Sequence, residues 1–218
     1  MQVQVMKNIL GENDKIAAEN RRLFHDKKIL AINLMGSPGS GKTSLLEKIL
    51  SKLAEKINVA VIEGDLFTAK DAERIERQNI PVIQINTAGG CHLDAAMVKR
   101  AAESLNLDEI NLLIVENVGN LVCPAEFDVG ENFKAVVLSI TEGDDKPLKY
   151  PLIFKESAVT LLNKIDLLPY TNFNLANARE DLSTIHPAIK IFETSCINGA
   201  GLDEFCNWIL EKIDEVKL

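Results

Sequence analysis

Apolar runs recur along the chain at KILAINLMG (28–36), VAVIEGD (59–65), PVIQINT (81–87), LLIVENVG (112–119), KAVVLSIT (134–141), AVTLLNKID (158–166) and KIFETSC (190–196). They are close to continuously apolar and do not alternate strictly, as expected of strands covered on both faces. Helix-like stretches separate them at 43–55, 68–78, 92–105 and 146–156, and a last helix near 202–215 closes the chain. Strand–helix alternation of this kind predicts one doubly wound, mostly parallel α/β sheet of about seven strands. The sequence carries no internal repeat, low-complexity tract or Pro/Ser-rich linker.

Residues 1–26 read differently. Val5, Ile9, Ile16 and Phe24 make a rough apolar stripe among charged positions, which predicts an amphipathic helix, broken or bent near Gly11. Such a helix either packs on its own sheet or docks a partner protein or protomer. The expected organisation is a helical extension over 1–26 and a single α/β domain over 27–218.

Composition narrows the classes without choosing one. The chain has 218 residues, enough for one large domain with a real core, and 46% hydrophobic and 26% charged residues are ordinary for a globular protein. A net charge of −8 argues against broad attraction to nucleic acid or anionic membrane. No apolar run is long enough to span a bilayer and no signal-peptide pattern opens the sequence, so a cytoplasmic location is expected. Four cysteines, Cys91, Cys123, Cys196 and Cys206, are few and widely spaced. In a reducing compartment such cysteines are metal ligands or buried thiols rather than disulfides.

Chemistry enters with GSPGSGKT at 36–43, which fits G-x-x-x-x-G-K-[ST] between an expected strand and an expected helix. Backbone N–H groups of such a loop and the following helix N-terminus surround phosphate oxygens. The cradle is expected to comprise Gly36, Ser37, Gly39, Ser40, Gly41, Lys42, Thr43 and Ser44. Lys42 would reach the β- and γ-phosphates, and Thr43 would place its hydroxyl on Mg²⁺.

The base is read from NKID at 163–166. A carboxylate can accept from both the N1–H and the 2-amino group of guanine, and adenine offers no such pair, so Asp166 should select GTP over ATP. Asn163 and Lys164 would brace the base and its loop, and the backbone at Ser195 and Cys196 in TSC (194–196) would face it.

Two further strand ends carry acids. Glu116 and Gly119 of ENVG stand where many GTPases carry D-x-x-G, so Glu116 would hold Mg²⁺ directly or through water. Asp65 would bind metal-coordinated water or orient the attacking water; strand-end acids also serve as helix caps. The residue after Gly119 is Asn120, where many small GTPases carry a water-orienting glutamine, and no arginine declares itself as a finger. Intrinsic hydrolysis should therefore be slow, which suits a switch.

TAGGCHLDAA at 87–96 sets Cys91 beside His92, and VCPAEFD carries Cys123 after the fourth strand. In a doubly wound sheet both segments lie outside the strand carboxyl ends, on the rim of the phosphate loop. Thiolates with imidazole suit Zn²⁺ or Ni²⁺. Three donors leave a tetrahedral site one short, a gap that a second copy of the chain or a water would fill. Buried thiols and a helix-start histidine are the plain alternative, and a cysteine-protease pairing lacks the facing geometry that chemistry requires.

NLMGSPGSGKTSLLEK, VIEGDLFTAKDAERI, INTAGGCHLDA, IVENVGNLVCPAEFDVGE, TEGDDKPLKYP and LLNKIDLLPY together resemble HypB, the family of hydrogenase nickel-incorporation GTPases, over nearly the whole chain. GGCHLDA with NLVCPAEFD is the specific part; the phosphate loop alone is not. The resemblance implies a P-loop GTPase of the signal-recognition-particle-like class that dimerises with GTP. It implies Ni²⁺ or Zn²⁺ at Cys91, His92 and Cys123, delivery of nickel to a [NiFe]-hydrogenase large-subunit precursor, and a nickel-binding HypA-like partner docking near the N-terminal region. Some members open with a cysteine-rich nickel motif or carry a histidine-rich stretch. This chain opens MQVQVMKNIL and has three histidines, so a separate N-terminal nickel site or a storage role is not expected. A scaffold that uses nucleotide only for assembly, and a urease-accessory type of metallocentre GTPase, are the competing readings; a kinase is disfavoured because no phosphoryl acceptor site is visible.

Overall fold

The structure is a computed structural model that describes residues 4–66 and 70–217, with side chains described over 11–66 and 71–217. The elements run α1 (Gln4–Asp26), β1 (Leu30–Gly36), α2 (Lys42–Leu53), β2 (Val59–Asp65), α3 (Lys70–Glu76), β3 (Val82–Asn86), α4 (Ala95–Ala102), β4 (Leu112–Glu116), α5 (Cys123–Glu126), β5 (Phe133–Ser139), α6 (Lys146–Lys149), α7 (Pro151–Lys155), β6 (Ser157–Asn163), α8 (Leu175–Ile185), β7 (Lys190–Thr194) and α9 (Leu202–Lys217).

The strands form one sheet of order β3-β2-β4-β1-β5-β6-β7, and every pairing is parallel. Alternate residues of β4 show why the runs are continuously apolar. Leu112 and Ile114 enter the core beneath α2 and α9, whereas Leu113 and Val115 enter the core on the face of α1 and α4. A third apolar cluster packs Phe154 of α7 and Leu182 of α8 against Val136 and Leu138 of β5. Among the described residues no helix is long and apolar enough to cross a membrane.

Several expected boundaries shift for local reasons. The run at 112–119 leaves the sheet after Glu116, so Asn117 to Gly119 form a loop at the strand end. The run at 158–166 stops at Asn163 because Lys164 takes a left-handed conformation, φ 65°. The stretch 146–156 is two short helices, since Pro151 lacks the N–H that would continue the first. Helix α8 falls outside the expected set; it buries only Ala178 and Leu182, and Asn174 caps it by accepting from the Ala176 and Asn177 N–H groups. The opening residues of the helix expected at 68–78 lie outside the described residues.

Helix α1 corrects the expectation at Gly11. It is continuous from Gln4 to Asp26, and Gly11 sits exposed with no neighbour closer than 4 Å to a Cβ built there. A glycine facing solvent costs a helix about 1 kcal/mol relative to alanine, too little to break one held by packing between Asn13 and Phe24. The buried face is Asn13, Ala17, Asn20 and Phe24; Ile16 is only half-buried, and the side chains of Val5 and Ile9 lie outside the description.

Candidate functional site

The loop between β1 and α2 is shaped by glycines that admit no side chain. Gly36 has φ 151°, and a Cβ there would fall 2.4 Å from the Val137 carbonyl oxygen. At Gly41, φ 99°, it would fall 2.5 Å from Asn163 Nδ2. Lys42 is buried and donates from Nζ to the carbonyls of Gly36 at 3.3 Å and Ser37 at 3.4 Å, bridging the loop; burial pushes its pKa down. Thr43 Oγ1 donates to Glu116 Oε1 at 2.8 Å. Ser40 Oγ is buried without a hydrogen-bond partner. Ser44 Oγ accepts from Arg74 Nη2 at 3.2 Å. Gly119 presses against this loop, since a Cβ on it would lie 2.9 Å from the Pro38 nitrogen. Over the loop opens a cavity of about 420 Å³ lined by Lys42, Thr43, Asp65 and Glu116.

The acid end of this cavity holds more than the sequence disclosed. Glu63 and Glu116 are direct cross-strand neighbours on β2 and β4, and both are buried. Burial, with Glu116 and Asp65 adding like charge, raises Glu63 to about 8. Burial likewise raises Glu116 to about 7 against the opposing charge of Lys42. The Oε2 atoms of both are buried without a hydrogen-bond partner. Oxygens of Glu63, Asp65 and Asp71 lie within 4.8 Å of one another. Crowded carboxylates with orphaned oxygens, beside a buried hydroxyl, fit a hard divalent cation that takes oxygen ligands. The legible signal for Glu63 was its place two residues before Asp65, on the same face of β2; Asp71 stands in the first turn of α3. Arg74 also lines the cavity, tied to Glu47 by Nε to Oε1 at 3.0 Å and Nη2 to Oε2 at 2.5 Å, and to Asp71 at 3.1 Å.

The NKID segment is bolted to the phosphate loop. Asn163 Nδ2 donates to the Ser40 carbonyl at 2.9 Å, Lys164 Nζ donates to the Gly39 carbonyl at 2.7 Å, and Thr194 Oγ1 donates to Asn163 Oδ1 at 3.2 Å. Ser195 Oγ donates to Asp166 Oδ1 at 2.5 Å, which fixes the carboxylate. Cys196 Sγ lies 3.9 Å from Asn163 Oδ1, and burial raises its thiol pKa.

Cys91, His92 and Cys123 come together. Cys91 Sγ donates to Cys123 Sγ at 3.0 Å and lies 3.6 Å from His92 Nδ1; one ligand atom from each residue falls within 4.8 Å of the others. Burial lowers the His92 pKa, keeping the imidazole neutral, as a metal ligand must be. Its ring stacks on Phe127, centroids 3.8 Å apart. Two thiols and a neutral imidazole are a donor set for Zn²⁺ or Ni²⁺. Cys206 lies apart from this cluster, on the buried face of α9, with its thiol raised by burial to about 11.

The two halves touch through asparagines. The Asn120 N–H donates to the Gly36 carbonyl at 3.0 Å, while its Nδ2 donates to the Cys91 carbonyl at 3.3 Å and its Oδ1 accepts from the Val122 N–H at 2.9 Å. Asn117 Oδ1 accepts from the Leu93 N–H at 3.0 Å. Asn120, read in sequence only as the lack of a glutamine, thus joins the first residue of the phosphate loop to the segment bearing Cys91.

Comparison with known proteins adds the following. The CobW/HypB/UreG nucleotide-binding domain matches residues 30–193. Hydrogenase maturation factor HypB of Escherichia coli K12 is 48% identical over 207 residues, covering 95% of this chain and 71% of that protein. The crystal structure of HypB from Helicobacter pylori in complex with nickel superposes with a TM-score of 0.89 at 38% identity, covering 94% of this chain and 96% of that one. Hydrogenase maturation factor HypB from Archaeoglobus fulgidus superposes with a TM-score of 0.88 at 34% identity, covering 94% of this chain and 100% of that one.

Proposed function

The chain belongs to the CobW/HypB/UreG family and, within it, to the HypB hydrogenase maturation factors, and from that premise we propose that it is a GTP-hydrolysing metallochaperone that carries nickel to a [NiFe]-hydrogenase precursor. The observation that carries this reading is Asn120, bonded at once to the phosphate loop and to the Cys91 segment. Nucleotide and metal then occupy neighbouring sites that share a structural element.

GTP lies with its phosphates on the 36–43 loop and its guanine against Asp166, flanked by Asn163, Lys164 and the Ser195–Cys196 backbone. Lys42 draws the β- and γ-phosphate charge. Thr43 and Glu116 would hold Mg²⁺, which would supply charge neutralisation at the γ-phosphoryl group; Asp65, with Glu63 beside it, would help hold the ion or position the attacking water. Hydrolysis is slow because Asn120 is spent on Cys91 and Val122, and Arg74 on Glu47 and Asp71.

Nickel is the cargo, held by Cys91, His92 and Cys123. A second copy meeting this rim completes the coordination, so dimerisation depends on GTP, on metal or on both. Residues 1–26 act as an extension of the GTPase domain of 27–218, where a HypA-like nickel-binding partner docks. The test is the oligomeric mass of wild-type and Cys91→Ala protein, each with and without a non-hydrolysable GTP analogue and Ni²⁺. A dimer that forms with analogue and Ni²⁺ and is lost or weakened in Cys91→Ala supports the reading; masses indifferent to nucleotide, metal and Cys91 overturn it.

A further inference from the structure

The metal donors sit on two separate limbs. Cys91 and His92 lead into α4, and Cys123 opens α5, which runs into the loop 127–132. Neither limb is a strand of the sheet. Besides the His92–Phe127 stack and Asn120, α1 ties one to the other.

Asn13 bonds both limbs: its Nδ2 donates to the Asp128 carbonyl at 2.8 Å and its Oδ1 accepts from the Ala95 N–H at 2.9 Å. Asn20 repeats the pattern, with Nδ2 donating to the Ala95 carbonyl at 2.8 Å and the Val129 carbonyl at 3.0 Å. Ala95 is three residues past His92, and Asp128 is five past Cys123. Both asparagines are buried, and the Oδ1 of Asn20 has no hydrogen-bond partner, so that amide serves to donate. The approach is close, since a Cβ on Gly130 would fall 2.4 Å from Asn20 Cβ. Arg21 Nη2 grips both carboxylate oxygens of Asp128 at 2.7 and 2.6 Å, and Lys99 of α4 pairs with Glu19 at 2.7 Å. A helix needing only to cover the sheet would present apolar residues here; two amides that each bridge the same pair of segments specify their spacing.

We propose that α1 is a clamp that sets the distance between the Cys91–His92 limb and the Cys123 limb, with Asn13 and Asn20 as its positioning residues, so that displacement of α1 loosens the metal site. This rests on the reading of Cys91, His92 and Cys123 as metal donors. It also gives a partner docking on the N-terminal region a physical route to the cargo.

The test compares Asn13→Ala, Asn20→Ala and, should the buried substitutions unfold the chain, the surface variant Arg21→Ala. Ni²⁺ affinity is measured by competition with a chromophoric chelator. Thiol spacing is read without metal, from the rate at which dibromobimane bridges Cys91 and Cys123 relative to single-site labelling by monobromobimane. GDP affinity and thermal midpoint serve as controls. Outer partners of metal ligands are commonly worth about 10–100-fold in affinity; that range is expected for the asparagine variants and roughly threefold for Arg21→Ala, with bimane bridging slowed in parallel and GDP affinity unchanged. Wild-type nickel affinity and bridging in all folded variants, with Cys91→Ser having lost nickel, would overturn the clamp. If Cys91→Ser keeps wild-type nickel affinity, the donor assignment fails instead, and the bridging rate alone still decides whether α1 sets the spacing.

Discussion

The phosphate end and the thiol end of this molecule are built on opposite plans. At the phosphate end the loop is held on several sides: glycines fit it closely against β5 and β6, and Asn163, Lys164 and Thr194 bolt it to the NKID segment. At the thiol end Cys91 is exposed, Cys123 is half-buried, and the supporting segments are loops and a four-residue helix. This second region brings together three candidate donors, one of them exposed. A rigid cradle suits a ligand that must be held in one geometry for chemistry. An adjustable donor set suits an ion that must be bound and then surrendered.

That contrast predicts separable losses. The largest follow from removing a single charge or ligand at either end. Lys42→Ala should lower single-turnover GTP hydrolysis by at least about 100-fold, the scale of one lost charge-stabilising donor, while leaving nickel affinity within about twofold. Cys91→Ser should do the reverse, weakening nickel by about 100-fold or more with hydrolysis nearly intact. Loss of both activities in either variant would erase the distinction between the regions.

Next comes base selection. Two hydrogen bonds to a charged group at about 1.5 kcal/mol each correspond to about 100-fold. Asp166→Asn should therefore weaken GDP binding on that order and shift preference toward xanthosine diphosphate, as measured by competition with a fluorescent nucleotide.

Smaller still is the pH effect of the buried acids. Glu63 at about 8 and Glu116 at about 7 hold protons in the folded state that the unfolded chain releases near 4.5. The folded state thus binds more protons across that window, and stability without Mg²⁺ or nucleotide falls as pH rises from about 4.5 to about 8. Glu63→Gln, neutral throughout, should raise the thermal midpoint at about pH 8 by a few degrees and change it little at about pH 5. An identical shift at both pH values would remove ionisation as the cause.

Much of the two plans could be read from residue order. The seven runs are the seven strands, two of them ending earlier than read, and the phosphate loop, NKID and the Cys91–His92 pair are patterns of adjacent residues. Polar groups acting through the backbone were less visible. Asn13 and Asn20 interrupt an apolar stripe and look solvent-facing to a hydrophobic count; only the fold brings them against the Ala95, Asp128 and Val129 backbone. Glu63 reads as a polar break in β2 until β4 sets Glu116 beside it. Helix α8 escaped because its buried stripe is two residues wide, too thin to give a period. Asn120 was legible by what it was not, and its bonds to Gly36 and Cys91 span residues far apart in sequence.

The central claim is that these two differently built regions communicate, and Ni²⁺ affinity measured with GDP and with a non-hydrolysable GTP analogue tests it directly. Coupling between sites is typically 5–150-fold, so the two affinities should differ by roughly tenfold in wild-type protein and converge in Asn120→Ala. Equal affinities in the wild-type protein would contradict the account.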